Sequence, residues 1–192
     1  MDSMSESASQ VASLIERLGR IARSAQHAEG MKPAQWETLR FLAKANKFSR
    51  TPGALADYLS STRGTASQTL NALEKKGLIT RIVNSGDARV RHLKLTRQGQ
   101  AILARDPLHV LEEAVPNLGD DPGLEKNLEQ ILRNIINLNG NHLFGICRDC
   151  RFFKLHGGGD KASGSHCCMF TGEVISEEGS RQICREHESR TV

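Results

Sequence analysis

The stretch Leu73–Gly99, LEKKGLITRIVNSGDARVRHLKLTRQG, carries more structural information than any other part of the chain. Leu73 to Lys76 reads as the last turn of a helix. Gly77 is its expected C′ residue, where the chain turns through a left-handed conformation that favours glycine. Leu78–Val83 and Val90–Leu95 then read as two strands, and 84–89 between them is turn chemistry. The hairpin is basic, holds Asp87-x-Arg89 at its tip, and closes on Leu93-x-Leu95-Thr96-x-x-Gly99. A helix followed by such a ribbon has the shape and charge to lie along a DNA duplex.

The elements upstream are helical. Val11, Leu14, Ile15, Leu18, Ile21 and Ala22 recur at helical spacing and predict a helix over 5–28. Pro33 opens a second helix with Trp36, Leu39, Leu42 and Ala43 inward, and 46–51 is a loop. A third, short helix starts at Pro52 with Leu55, Ala56 and Leu59 inside. Thr62 is the expected N-cap of a fourth, running to about Lys76 with Ala66, Leu70 and Leu73 inward. Downstream, Thr96 caps a fifth helix expected from Arg97 to about Ala114, and a sixth is expected over 124–143.

From Pro33 to Gly99 the order helix, helix, helix, strand, turn, strand is a winged helix-turn-helix. With the inward positions set, the fourth helix presents Arg63, Thr65, Ser67, Gln68 and Asn71 outward. Arginine pairs bidentately with guanine and Gln or Asn with adenine, while Ser and Thr more often hold phosphates. Gly64 leaves room for close approach to the backbone. In the wing, Arg89 is the expected minor-groove residue, because the negative potential there draws a guanidinium. Asp87 orients Arg89 or pins the turn, and Arg91 is the expected phosphate contact.

These residues resemble the MarR family of transcriptional regulators. The resemblance lies in Leu55-Ala56, Arg63-Gly64-Thr65-Ala66-Ser67, Leu73-Glu74-Lys75-Lys76-Gly77-Leu78-Ile79 and the wing signature, and covers roughly residues 8–143. It implies a homodimer built from the helices flanking the reader, placing two recognition helices on a pseudo-palindromic operator of double-stranded DNA. It also implies a regulator, usually a repressor, released by a small molecule or by thiol oxidation. The surplus apolar stripes of the first, fifth and sixth helices fit a twofold partner.

Charge agrees. Between Thr51 and Gln98 eight Lys and Arg face three acids, although the net charge of the 192-residue chain is only +4. No apolar run approaches the roughly 20 residues a membrane span needs. The amino terminus, MDSMSESASQ, lacks signal-peptide shape, so a cytoplasmic protein without membrane contact is expected.

After Phe144 the composition changes. The last 48 residues hold all five cysteines and the glycine-rich stretch HGGGDKASGS, a module too small to build a core without a staple. The cysteines fall as Cys147-x-x-Cys150, Cys167-Cys168 and Cys184-x-x-His187. In a reducing compartment such spacing points to metal ligands or redox thiols. Structural Zn2+ through Cys147, Cys150, Cys168 and Cys184 is the preferred expectation, with Cys167 and His187 as substitutes. The alternative is a [4Fe–4S] cluster and a redox-sensing regulator, because the order of cysteines and Phe152, Phe153, Phe170 and Gly172 is similar to that of high-potential iron–sulfur proteins. Metal-free redox thiols are a third reading. His142, His156 and His166 in or near the module read as solvated side chains.

The expected organisation is thus mainly α with a small β-wing. A dimerisation helix occupies 1–32, the winged helix 33–99, further dimerisation helices 100–144, and the cysteine-rich module 145–192. A thiol-redox protein using Cys147-x-x-Cys150 is the competing class. It lacks a surrounding βαβ pattern, a phosphate loop, and any carboxylate–histidine–nucleophile set, so no enzyme is expected.

Overall fold

The computed structural model describes residues 2–26, 30–83, 91–115, 122–157 and 166–190. Its helices are α1 (Asp2–Ala25), α2 (Pro33–Lys44), α3 (Pro52–Tyr58), α4 (Arg63–Lys75), α5 (Arg97–Leu103), α6 (His109–Glu112), α7 (Pro122–Leu138) and α8 (Glu177–Ser180). The strands are β1 (Ile79–Val83), β2 (Arg91–Leu95), β3 (Gly145–Ile146), β4 (Phe153–Lys154), β5 (His166–Cys168), β6 (Val174–Ile175) and β7 (Ile183–Cys184). They form three small antiparallel sheets, β1-β2, β3-β7 and β4-β5-β6.

The main core lies where α2, α3 and α4 meet the wing. Trp36, Leu39, Phe41 and Leu42 come from α2, Leu55 from α3, and Leu70 and Leu73 from α4. Leu78, Ile79 and Leu93 close it from the wing side. One inward expectation shifts: Ala43 is exposed, while Phe41, two positions earlier, is buried. Leu59 is half-buried at the core's edge.

Local chemistry sets the boundaries of the reader. The Thr51 side chain accepts from the amide of Ala54 and that of Thr62 from the amide of Thr65, so both short helices begin with satisfied donors. Gly77 takes φ +69 and turns the chain from α4 into β1. Thr96 then ties the wing shut. Its hydroxyl donates to the carbonyl of Gly77 at 2.7 Å and accepts from the amide of Gly99 at 3.0 Å. A Cβ on Gly99 would lie 2.1 Å from the carbonyl oxygen of Leu78, so the Thr-x-x-Gly spacing is dictated by a backbone crossing.

The helix expected from Arg97 to Ala114 is broken. The α5 helix ends at Leu103 and α6 restarts at His109, with Pro107 between them. Pro107 cannot continue the helix, and Asp106 fixes the turn around it. Its carboxylate accepts from the amide of Leu108 at 2.9 Å while holding Arg40 of α2 through Nε at 2.6 Å and Nη2 at 3.0 Å. The α7 helix stops at Leu138, five residues short of its expected end, because Gly140 takes φ +64 and the amide of Asn141 turns back to the carbonyl of Ile136 at 3.1 Å.

Apolar rows stay uncovered on the outer helices. Val11, Leu14, Ile15, Leu18 and Ile21 are exposed along α1, and Leu128, Leu132, Ile135 and Leu138 along α7. Helix α1 is anchored near its end, where Ala22 is buried and the Trp36 indole donates to the carbonyl of Gln26 at 3.0 Å.

The cysteine-bearing segment is stitched to the reader. Ile183 forms a parallel bridge with Ala45 and its carbonyl accepts from the amide of Asn46 at 2.9 Å. The Arg185 amide donates to Ser49 Oγ at 2.9 Å, and its guanidinium donates to Asp57 at 2.6 Å. Phe144 completes an aromatic cluster with Phe41 and Tyr58, at centroid separations of 6.0 and 5.2 Å.

Candidate nucleic-acid interface and cysteine-lined cavity

One face of α4 is built for contact. Ala66, Leu70 and Leu73 are buried, and Arg63, Thr65, Ser67, Gln68 and Asn71 are all exposed on the opposite side. Thr65 has a local task, since its hydroxyl lies 2.9 Å from that of the cap Thr62. Around Gly64 the nearest atom a Cβ would meet is Thr62 Oγ1 at 3.8 Å, so this surface is open. Arg91, at the start of β2, is exposed beside Val83. Asp87 and Arg89 lie outside the described residues.

Two basic residues have structural work instead. Arg81 on β1 donates to Asn71 Oδ1 at 2.6 Å and pairs with Glu74 at 3.1 Å, joining wing to recognition helix. Lys76 donates to the carbonyl of Gly30 at 2.7 Å and to Gln35 Oε1 at 3.3 Å, fixing the end of α4 against the start of α2. Local positive charge therefore overstated the number of available cations.

The second site is a small cavity of about 20 Å³, lined by Cys147, Cys150, Cys168 and Cys184. Its remaining walls are largely aromatic and aliphatic, with Phe48, Phe152, Phe153, Phe170 and Ile175. Cys147 opens a single 3-10 turn, Cys150 follows it, Cys168 ends β5, and Cys184 ends β7. Alternation along β5 separates neighbours: Cys168 lines the cavity and Cys167 does not. His187 is also absent from the lining, and its ring packs over Gly145, where a Cβ would lie 2.4 Å from Nδ1. The five thiols are unpaired by disulfides.

Burial first, then the neighbouring thiols of Cys184 and Cys168, pushes the Cys147 thiol up to about 12, partly offset by a hydrogen bond from Asn46. Burial likewise raises Cys184, against hydrogen bonds from Asn46, the amide of Glu186 and Ser49. Without a bound cation these are neutral thiols at pH 7, the opposite of an activated redox nucleophile. That weakens the thiol-redox reading of Cys147-x-x-Cys150.

The histidines read as solvated behave differently from one another. His166 is buried, with Nε2 2.8 Å from Glu177, while His142 is exposed. Glu177 is held at about 2 by His166 and by Arg181 and Arg148, which donate to it. His187 is lowered by burial and by the positive charge of Arg133.

Sequence reasoning missed Asn46, Ser49 and Phe48, which come from the loop between α2 and α3 and reach the cysteines. A loop assignment carries no signal that its side chains will be buried against a segment a hundred residues away.

Residues 29–90 match the model of the MarR family, a segment that ends before β2 and spans about a third of the chain. The transcriptional repressor MprA of Escherichia coli (strain K12) is 30% identical over 115 residues, 57% of this chain and 62% of its own length. The chain therefore spans less than two thirds of that relative. Among solved structures, the transcriptional regulator BldR from Sulfolobus solfataricus aligns with TM-score 0.54 and 20% identity, over 71% of this chain and 99% of its own. S. aureus MepR in its DNA complex gives 0.53 and 20%, over 68% and 96%. Streptococcus pneumoniae FabT in complex with DNA gives 0.52 and 22%, over 72% and 98%. The mainly helical architecture with a small wing is shared with these proteins. Residues 29–90 are therefore similar to the MarR family, within a winged-helix fold shared with these structures.

Proposed function

We propose that the chain is a homodimeric, sequence-specific DNA-binding transcriptional regulator of MarR type, acting as a repressor on a pseudo-palindromic operator. The observation that carries this reading is the outward face of α4. Arg63, Ser67, Gln68 and Asn71 stand exposed beside a wing held in register with the helix by Arg81. In this reading the amino-terminal part of α4 enters the major groove, Arg63 and Gln68 read base edges, and Ser67, Thr65 and Arg91 hold phosphates.

Support comes from three directions. The family model matches residues 29–90, the relative MprA is named a transcriptional repressor, and the solved MepR and FabT structures are DNA complexes. The uncovered apolar rows of α1 and α7 suit a second copy of the chain, and twofold symmetry then sets two α4 helices on successive major grooves.

The test is a gel shift of the full-length protein on operator fragments selected from random sequence, across a salt series. A specific complex with two chains per site is expected. Binding equal to that on unrelated DNA at every salt concentration contradicts the reading.

A further inference from the structure

The geometry points to a [4Fe–4S] cluster held by Cys147, Cys150, Cys168 and Cys184 in the aromatic-walled cavity between the carboxy-terminal segment and the reader. Four thiols from three segments of the chain line one small cavity. A single zinc ion needs its sulfurs about 2.3 Å away, all converging on one point. Among the described residues no three His, Cys, Asp or Glu side chains are gathered so as to hold one ion. Four cysteines that line one small cavity without three of them converging on one point suit a four-iron core, which takes one cysteine on each iron.

The chemistry of the walls fits the same occupant. Thiolate ligands select zinc or iron–sulfur groups over harder cations. Phe48, Phe152, Phe153 and Phe170 would shield a cluster from water, and an ion with four short bonds has no use for so wide an apolar shell. Asn46 Nδ2 approaches Cys147 Sγ at 4.0 Å, the kind of outer hydrogen bond to sulfur that tunes a cluster's potential. Asn46 and Phe48 belong to the reader, so the occupied cavity would pin the α2–α3 loop directly ahead of α3. No disulfide joins the thiols, and Cys167 is left outside the lining.

The test uses full-length protein, purified anaerobically with its thiols reduced, and incubated with equal amounts of Fe2+ and Fe3+ plus inorganic sulfide. Each cysteine releases a proton as its sulfur bonds one iron. Two ferrous ions, two ferric ions and four sulfides then assemble the core with no added oxidant or reductant. The expected product is brown, with about four irons and four acid-labile sulfides per chain. Cys167→Ala should retain that complement, whereas Cys150→Ala and Cys168→Ala should each lose most of it. One tightly held Zn2+ per chain that blocks uptake of iron and sulfide would overturn the assignment. So would full retention by Cys168→Ala, or loss in Cys167→Ala with its helical circular dichroism intact. None of these readouts involves DNA, so the cluster and the regulator reading stand or fall separately.

Discussion

Arg81 on the first wing strand reaches back to Asn71 on the recognition helix, its Nη2 donating to Oδ1 at 2.6 Å, and the same guanidinium pairs with Glu74. The wing is thereby keyed to the helix that would read the groove. The contact also divides labour among the cations of this region, since Arg81 positions while Arg63 and Arg91 remain exposed on the surface.

These roles predict different losses. Arg63→Ala should weaken operator binding about five- to 150-fold, because a bidentate base contact is worth about 1–3 kcal/mol. Arg91→Ala should weaken binding to all sequences alike and lower the salt slope by about one. Arg81→Ala should cost about three- to tenfold in affinity and under about 1 kcal/mol of stability, because the pair is partly exposed. Gel shifts at several salt concentrations, with thermal melts, distinguish the three. A loss of similar size to that of Arg63→Ala is expected for Arg89→Ala.

Two glycines separate folding from binding. Gly99→Ala places a Cβ against the carbonyl of Leu78 and should cost about 3 kcal/mol, read as a lowered Tm. Gly64→Ala meets open space and should leave the Tm unchanged or slightly raised, since alanine is the better helix former. A fall in operator affinity with the Tm unchanged would place the DNA backbone against Gly64.

Much of the reader was legible because its signals are local. The buried set Ala66, Leu70 and Leu73, the caps Thr62 and Thr96, and the left-handed Gly77 all follow from short-range spacing and backbone chemistry. The four cysteines expected as ligands line one cavity, although their spacing alone left the choice among five thiols and several histidines open. What was not legible depends on distant packing. Asp106 fixes the turn at Pro107, and its carboxylate is held by Arg40, 66 residues earlier. Asn46 and Ser49 look like loop residues until Ile183 and Arg185 are laid across them.

The Arg40–Asp106 pair makes stability depend on acid. Burial pushes the Asp106 carboxyl up, but hydrogen bonds from Arg40 and the Leu108 amide, with the Arg40 charge, outweigh it and hold it below the ordinary range. A carboxyl depressed on folding contributes stability in full above its unfolded value of about 3.9, and loses it as pH falls through the folded value. Asp106→Ala should cost about 2–4 kcal/mol at pH 7, because it also orphans Arg40 and leaves the Leu108 amide without its acceptor. That difference from the native chain should shrink in melts taken below about pH 3.9.

The apolar rows of α1 and α7 predict the assembly. Combining Leu14→Glu with Leu132→Glu should convert a dimer to monomers in sedimentation velocity, because each buried leucine contributes about 1.5–3 kcal/mol and the charge adds a desolvation cost. The monomer should keep the native chain's helical content.

Operator binding by the full-length protein, measured together with its mass in solution, bears most directly on the regulator assignment. A twofold complex on a selected pseudo-palindrome is expected, with affinity falling as salt rises and Arg63→Ala costing at least about fivefold. A monomer that binds no nucleic acid even at low ionic strength would contradict it.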